Sequence, residues 1–429
     1  MSLRVSFVKS MVGVLAVGAV VALSACAPEP QLTPKPTAAP ETPTPEPYAG
    51  PISFIGDELD WFLLSAAEIS GLLPDVGDVS PAVPSLILAA DGGGYDPDPA
   101  ICIALTAESS LGSIGARSVT WTSVLPEGRP GWLNVLQFAD EKAAQARMDQ
   151  YLDAAASCDE FQFGGPSSFA SSTAEGEGGV RAVAGSLILT YPEGGGHRLY
   201  KSYSSVGNVI VEMWQPFTGE PTFDTEAAAA LLRDRASEAK GKLVDALTAD
   251  PPAAFETPAA ADPAAPWSEW QITADGVGPV RLGVELDQAI AAVPGARVEE
   301  SAWEGGPTRL ISPDDSASIL LEVQDEGTVV AAISVGSANI AGDRTDDGAA
   351  LPTAGGVKVG DPVSAAVSAY PEGTALRVVS SGEYFYEWST REGVTLRFRL
   401  DRDSTQSDGA VITGITVEDA TLARVPVFG

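Results

Sequence analysis

The spacing of apolar residues changes several times along the chain. Residues 11–22 form an uncharged apolar run behind Arg4 and Lys9, the layout of an export signal, and the run is shorter than the roughly 20 residues a membrane span needs. The pattern then vanishes. Prolines at 28, 30, 34, 36, 40, 43, 45 and 47 predict an extended, disordered tether. Periodicity returns after residue 51. Ser65-Ala66-Ala67-Glu68 is a capping box, Ile69, Leu72 and Leu73 supply one helical face, and Pro74 ends it. Runs at 119–124 and 132–138 around Pro126-Glu127-Gly128 predict a hairpin. Asp140 caps a helix in which Ala144, Met148, Tyr151, Leu152 and Ala155 keep helical spacing and which ends at Cys158. Strand-like runs at 180–191, 198–204 and 208–214 follow. A long helix closes the region, capped at Asp224 or Thr225 and carrying Leu232, Ala236, Ala239, Leu243 and Leu247.

Residues 250–266 are rich in Ala, Pro and acid, as a linker is. Beyond them the pattern repeats itself. Val280-Arg281-Leu282-Gly283 and the apolar positions Leu286, Ala289, Ile290 and Val293 match Val357-Lys358-Val359-Gly360 and Val363, Ala366, Val367 and Tyr370 at an offset of 77. Each copy predicts a short strand, a glycine turn, a helix and a meander. The meander strands fall at 308–311, 319–323 and 329–335, then at 375–379, 384–388, 394–400 and 411–417. Two such units could bury their faces against each other. The expected class is α+β: an antiparallel sheet with packed helices, then a tandem helix-plus-antiparallel-sheet repeat. The boundaries are a signal peptide at 1–25, a tether at 26–50, a first domain at 51–249, a linker at 250–266, and repeats at 267–350 and 351–429.

Leu23-Ser24-Ala25-Cys26 follows the apolar run and resembles the lipobox of bacterial lipoproteins, which implies acylation of Cys26 and anchoring through that lipid at the extracytoplasmic face of the cell membrane. An ordinary secretory signal with an incidental cysteine is the other reading. With Cys26 acylated, Cys102 and Cys158 are the remaining two of three cysteines, and an oxidising compartment predicts that they pair. The formal net charge of −33 repels phosphate backbones, which excludes nucleic acid as a partner.

Leu63-Leu64-Ser65-Ala66-Ala67-Glu68-Ile69, Cys102 ahead of the first hairpin, Val135-Leu136-Gln137-Phe138 leading into an alanine-rich helix, Cys158 at its end, and Gly207-Asn208-Val209-Ile210-Val211 together resemble the PknH-like extracellular sensor domain. That domain occurs in actinobacterial lipoproteins and outside receptor kinases. The resemblance covers about 57–248 and implies a non-catalytic sensor or ligand-binding module; family members commonly carry two disulfides, whereas this chain can form one. Residues 270–429 resemble, in layout and in the glycine-turn-helix signal, the tandem fold of secreted β-lactamase-inhibitor proteins. That likeness implies a binding surface on the sheet.

Groups able to do chemistry are sparse. His197 is the only histidine, which restricts histidine triads and zinc sites; a turn residue is the simpler reading. Ser237 and Lys240 have the S-x-x-K spacing, yet alternating charge on a surface helix also explains them. Asp96 and Asp98, Asp343, Asp346 and Asp347, and Asp401, Asp403 and Asp408 cluster in loops without the order of a calcium loop, as turn chemistry favours. Trp267, Trp270, Trp303, Trp388, Tyr384 and Tyr386 form either a carbohydrate or peptide platform or a core. The expectation is a non-enzymatic lipoprotein without metal or cofactor. It would bind or sense an extracellular small molecule, wall component or protein, at residues the sequence leaves unidentified. The alternative is an interaction or inhibitor module using the C-terminal sheet.

Overall fold

The computed structural model describes residues 46–88, 96–125, 128–192, 194–252, 261–301, 306–324, 327–337, 347–405, 409–425 and 427–428. The export signal, Cys26, the tether as far as residue 45, Trp303, Asp343, Asp346 and Asp408 lie outside the described residues.

The first half contains helices α1 (Ala66–Leu72), α2 (Glu141–Ser157) and α3 (Thr225–Ala249). Its strands are β1 (Val76–Val79), β2 (Ser85–Leu88), β3 (Gly115–Ser123), β4 (Gly131–Gln137), β5 (Phe161–Phe163), β6 (Gly165–Glu175), β7 (Arg181–Thr190), β8 (Gly196–Val206) and β9 (Val209–Pro216). Eight of them form one antiparallel sheet in the order β1-β3-β4-β9-β8-β7-β6-β5. Because strand side chains alternate between faces, β8 serves two cores. Tyr200 and Val206 pack with Ala236 and Leu243 of α3, whereas Leu199 and Tyr203 pack with Met148 and Tyr151 of α2. The helices begin where their caps place them. Asp140 accepts from the Ala143 amide at 2.7 Å, Asp224 accepts from Glu226 and Ala227, and Ser65 and Glu68 close the capping box of α1. Cys158, the C-cap of α2, is bonded to Cys102 in the 3-10 helix Ala100–Leu105, with the Cα atoms 5.9 Å apart.

The second half holds α4 (Leu286–Ala291), α5 (Val363–Ala369) and α6 (Ala420–Ala423). Strands β10 (Gln271–Thr273), β11 (Gly276–Val277), β12 (Val280–Arg281) and β17 (Thr353–Ala354) make a small sheet. The large one contains β13 (Arg297–Glu299), β14 (Thr308–Ile311), β15 (Ser318–Val323) and β16 (Val330–Gly336) from the first repeat. The second repeat supplies β18 (Thr374–Val378), β19 (Glu383–Ser389), β20 (Val394–Leu400) and β21 (Ile412–Asp419). The repeats do not meet face to face as the sequence suggested. They join edge to edge, the last strand of each pairing antiparallel where Ala332 lies opposite Glu418 and Gly336 opposite Gly414. Both helices therefore cover the same face, and Ala289, Val293, Val363 and Ala366 enter one shared core.

The ninth strand of that sheet comes from the other half. β2 pairs in parallel with β18, Ser85 opposite Ala375 and Leu88 opposite Val378, while Val83 just before it bridges to Ser118 of β3. One stretch of chain thus joins both large sheets. Side chains reinforce the joint: Thr374 Oγ1 accepts from the Ala116 amide at 2.9 Å, Ser53 Oγ donates to the Arg391 carbonyl at 2.8 Å, and Arg391 pairs with Glu58. Residues 46–429 form one compact unit, and the class is α+β.

Candidate functional site

Among the described residues, both halves build a groove of about 880 Å³, within the range of pockets that hold small organic ligands and at the kind of junction where they occur. One end is made by the 3-10 helix Gly56–Phe62. Residues three apart lie above one another on such a helix, so Asp57 and Asp60 share a face. Both reach Arg117 of β3, which donates from Nη2 to Asp57 and from Nε to Asp60, each at 2.9 Å. The Arg117 side chain is only 4% exposed, against 70% and 48% for the aspartates. The guanidinium is buried and its partners stand in water.

The turn 370–373 contributes a third carboxylate. Tyr386 holds that turn, donating from its hydroxyl to the Tyr370 carbonyl at 2.6 Å and accepting from the Gly373 amide at 3.0 Å, and burial pushes its phenol up from the usual range. Glu372 Oε2 accepts from the Asp57 amide at 3.3 Å. A Cβ on Gly56, whose φ is +54°, would stand 2.2 Å from that oxygen, so glycine is what lets the carboxylate close on the helix. Apolar side chains from both halves complete the groove: Val83 and Pro84 beside β2, and Val363 and Val367 one helical turn apart on α5. Val83 and Val367 are 45% and 44% exposed, and Ser364 and Ser368 lie next to them.

A second concentration of polar groups is internal. Lys201 and Glu212, 3.9 Å apart and both buried, sit on the α2 face of the first sheet, where Lys201 Nζ donates to the Tyr203 hydroxyl at 3.1 Å. Nearby Glu108 accepts from Ser110 Oγ at 2.6 Å, yet burial, with Glu212 adding to it, holds its carboxyl above the usual value. A folded-state value raised above the unfolded one means that the charge opposes folding as pH rises through that interval. Glu108→Gln is therefore expected to match wild type in melting temperature at pH 4 and to exceed it at pH 7; equal melting temperatures at both pH values would count against this reading.

The residues singled out by the sequence are dispersed. His197 is the second residue of β8, exposed, its ring edge-on to Tyr191 with centroids 5.5 Å apart. Ser237 and Lys240 do not meet: Ser237 Oγ donates to the Arg233 carbonyl and Lys240 Nζ to the Gly178 carbonyl. Asp347 and Asp403 cap local turns at Ala349 and Thr405, and Asp401 binds the Val411 amide. No group of three potential metal ligands occurs among the described residues. The aromatic set turns inward. Trp267 and Trp270 stack on each other at 5% and 1% exposure, and Tyr386 and Trp388 pack on the same core, so the described members form no platform. The traces of the groove in the sequence are the Asp57-x-x-Asp60 spacing and a valine on the open side of α5.

No family model matches the chain, and no curated protein does. Solved structures similar over about half of it include the following two. The extracellular domain of PknH from Mycobacterium tuberculosis is 14% identical, covering 47% of this chain and 100% of that domain with a TM-score of 0.29. An uncharacterised protein from Mycobacterium smegmatis, the Rv0999 ortholog, is 16% identical, covering 43% and 97% with a TM-score of 0.25. Among the described residues no helix is long and apolar enough to cross a membrane.

Proposed function

We propose that the protein is a non-enzymatic lipoprotein, anchored through Cys26 at the extracytoplasmic face, that binds or senses a small extracellular ligand in the groove between its halves. The observation that carries this reading is the groove itself. Val83 of one half and Val367 of the other are left in water on its walls, and an occupant would remove them from it. Anchoring rests on the lipobox-like Leu23-Ser24-Ala25-Cys26. An occupant would touch segment 82–85 and α5 together, so it would stiffen the joint between the halves, a change an external partner could read. The alternative, an interaction module on the helix-free face of the large sheet, is less favoured because charges there are already paired with one another, as Arg397 with Glu387 and Glu418, and Arg399 with Glu383.

The test is a melting-shift screen of metabolites and soluble wall fragments, run in parallel on wild type and Val367→Arg. Val367 is exposed, so the variant should fold with stability within about 0.5 kcal/mol of wild type while filling the groove. A compound that raises the wild-type melting temperature should lose its effect in Val367→Arg. Compounds that stabilise both proteins equally would move the site elsewhere.

A further inference from the structure

Resting on that reading of the groove, we infer that its ligand class is a small cationic amphiphile: a protonated amine carried on an apolar chain or ring. Charge and shape at the groove point to the same class. Three carboxylates, Asp57, Asp60 and Glu372, border the groove with a single guanidinium, Arg117, which leaves an excess of negative charge at that end. The guanidinium approaches Oδ1 of both aspartates from the protein side. Their Oδ2 atoms carry no hydrogen bond among the described residues and belong to side chains that are half to two-thirds exposed, so they present acceptors outward without a buried charge having to be uncovered. An ammonium group can donate to two or three such oxygens at once. An anion meets the opposite situation: Arg117 is sequestered, and a net charge of −33 sets the surrounding potential against it. Away from the carboxylates the lining is Val83, Pro84, Val367 and Ala375 together with neutral serine and threonine side chains, which gains by covering an alkyl or aryl group and offers no charged partner to a second ionised group.

The test compares hexylamine, hexanol and hexanoate, equal in chain length and different in charge, by melting shift and calorimetry on the full chain. Hexylamine should bind about ten-fold or more tighter than hexanol at low salt, hexanoate should not bind, and the advantage of the amine should shrink at 0.5 M salt, near which screening is nearly complete beyond a few Å. Val367→Arg should abolish binding of hexylamine and hexanol. Asp60→Asn should weaken the amine and leave the alcohol unchanged; if that variant fails to fold, the salt series on wild type supplies the same comparison. Hexanol or hexanoate binding as tightly as hexylamine overturns the inference while leaving the groove reading in place. So does a screened compound without positive charge whose shift depends on Val367, when hexylamine gives none. If none of the three binds and no screened compound depends on Val367, the inference and the groove reading fall together.

Discussion

Glu387→Ala is expected to destabilise the protein by about 3–5 kcal/mol, as removal of one member of a buried ion network does, read as a lowered urea midpoint at pH 7. Glu387 lies on the face of β19 opposite the shared core and is 2% exposed at its side chain. It holds two arginines, Arg397 Nε at 3.1 Å and Arg424 Nη2 at 2.6 Å. Glu418, one strand beyond Arg397, contacts the same pair. Without Glu387, two guanidinium groups share one remaining carboxylate in a site from which water is largely excluded. Arg424 also donates to the Ser113 carbonyl of the first half, so its loosening reaches the joint between the sheets. Burial alone would raise the Glu418 carboxyl, but Arg424 and Arg397 outweigh it and hold the group below its usual value. A depressed folded-state value contributes stability above the unfolded carboxylate range, lost as pH falls through the folded value. The stability contributed by Glu418 should accordingly fade in acid. Glu387→Gln, which keeps the acceptor and drops the charge, should fall between the two; a cost below about 1 kcal/mol for the alanine variant would mean that the arginines find water instead.

Elements whose side chains alternate or repeat were legible from sequence alone. The hairpin β3-β4, the meander β7-β8-β9, both capped long helices and the second-repeat strands β18 to β21 all follow apolar spacing. β6 does not, because its serines and alanines in Ser167-Ser168-Phe169-Ala170-Ser171-Ser172 carry almost no hydrophobic signal; packing of Phe169 and pairing with β7 along its length decide it. β2 is four residues between Pro84 and a glycine-rich stretch. Nothing local says that its partner is β18, nearly three hundred residues later, since parallel pairing is specified by tertiary context. The 77-residue offset revealed the repeat but not its joining, because a helix-on-sheet unit can extend edge to edge as well as stack.

The groove was hidden for the same reason. Arg117 reads as a polar position at the start of a strand, and only the folded chain brings it against Asp57 and Asp60 and places α5 beside residues 82–85. The tryptophans left two readings open, since a cluster of aromatics in sequence serves a core as readily as a surface. Trp267 and Trp270 take the core because they stack on each other beside Val277 and Val280 at the start of the repeat.

Cys102→Ala with Cys158→Ala is expected to cost about 4 kcal/mol in the chain-entropy model, because the bridge closes a loop with a sequence separation of 56. Both cysteines are fully buried, so alanine is preferred to serine, whose hydroxyl would need a partner. The loss should concentrate on α2 and the 3-10 helix Ala100–Leu105, which pack together in the core that contains the bridge. α2 does more than cover the sheet: Arg147 donates to the Ser109 and Leu111 carbonyls, and Gln150 exchanges two hydrogen bonds with Phe428 near the other end of the chain. Freeing its C-cap should therefore increase amide exchange at 106–113 and 424–428 before it reaches β8. Arg117 projects from the opposite face of the first sheet, where Asp57 and Asp60 meet it, so ligand-induced melting shifts that depend on Val367 should survive in the double variant, on a lower baseline. Reductant should shift wild type to the same baseline and leave the double variant unchanged. Titratable thiols in reduced wild type without any fall in melting temperature would show that packing around α2, rather than the cross-link, fixes this edge of the fold.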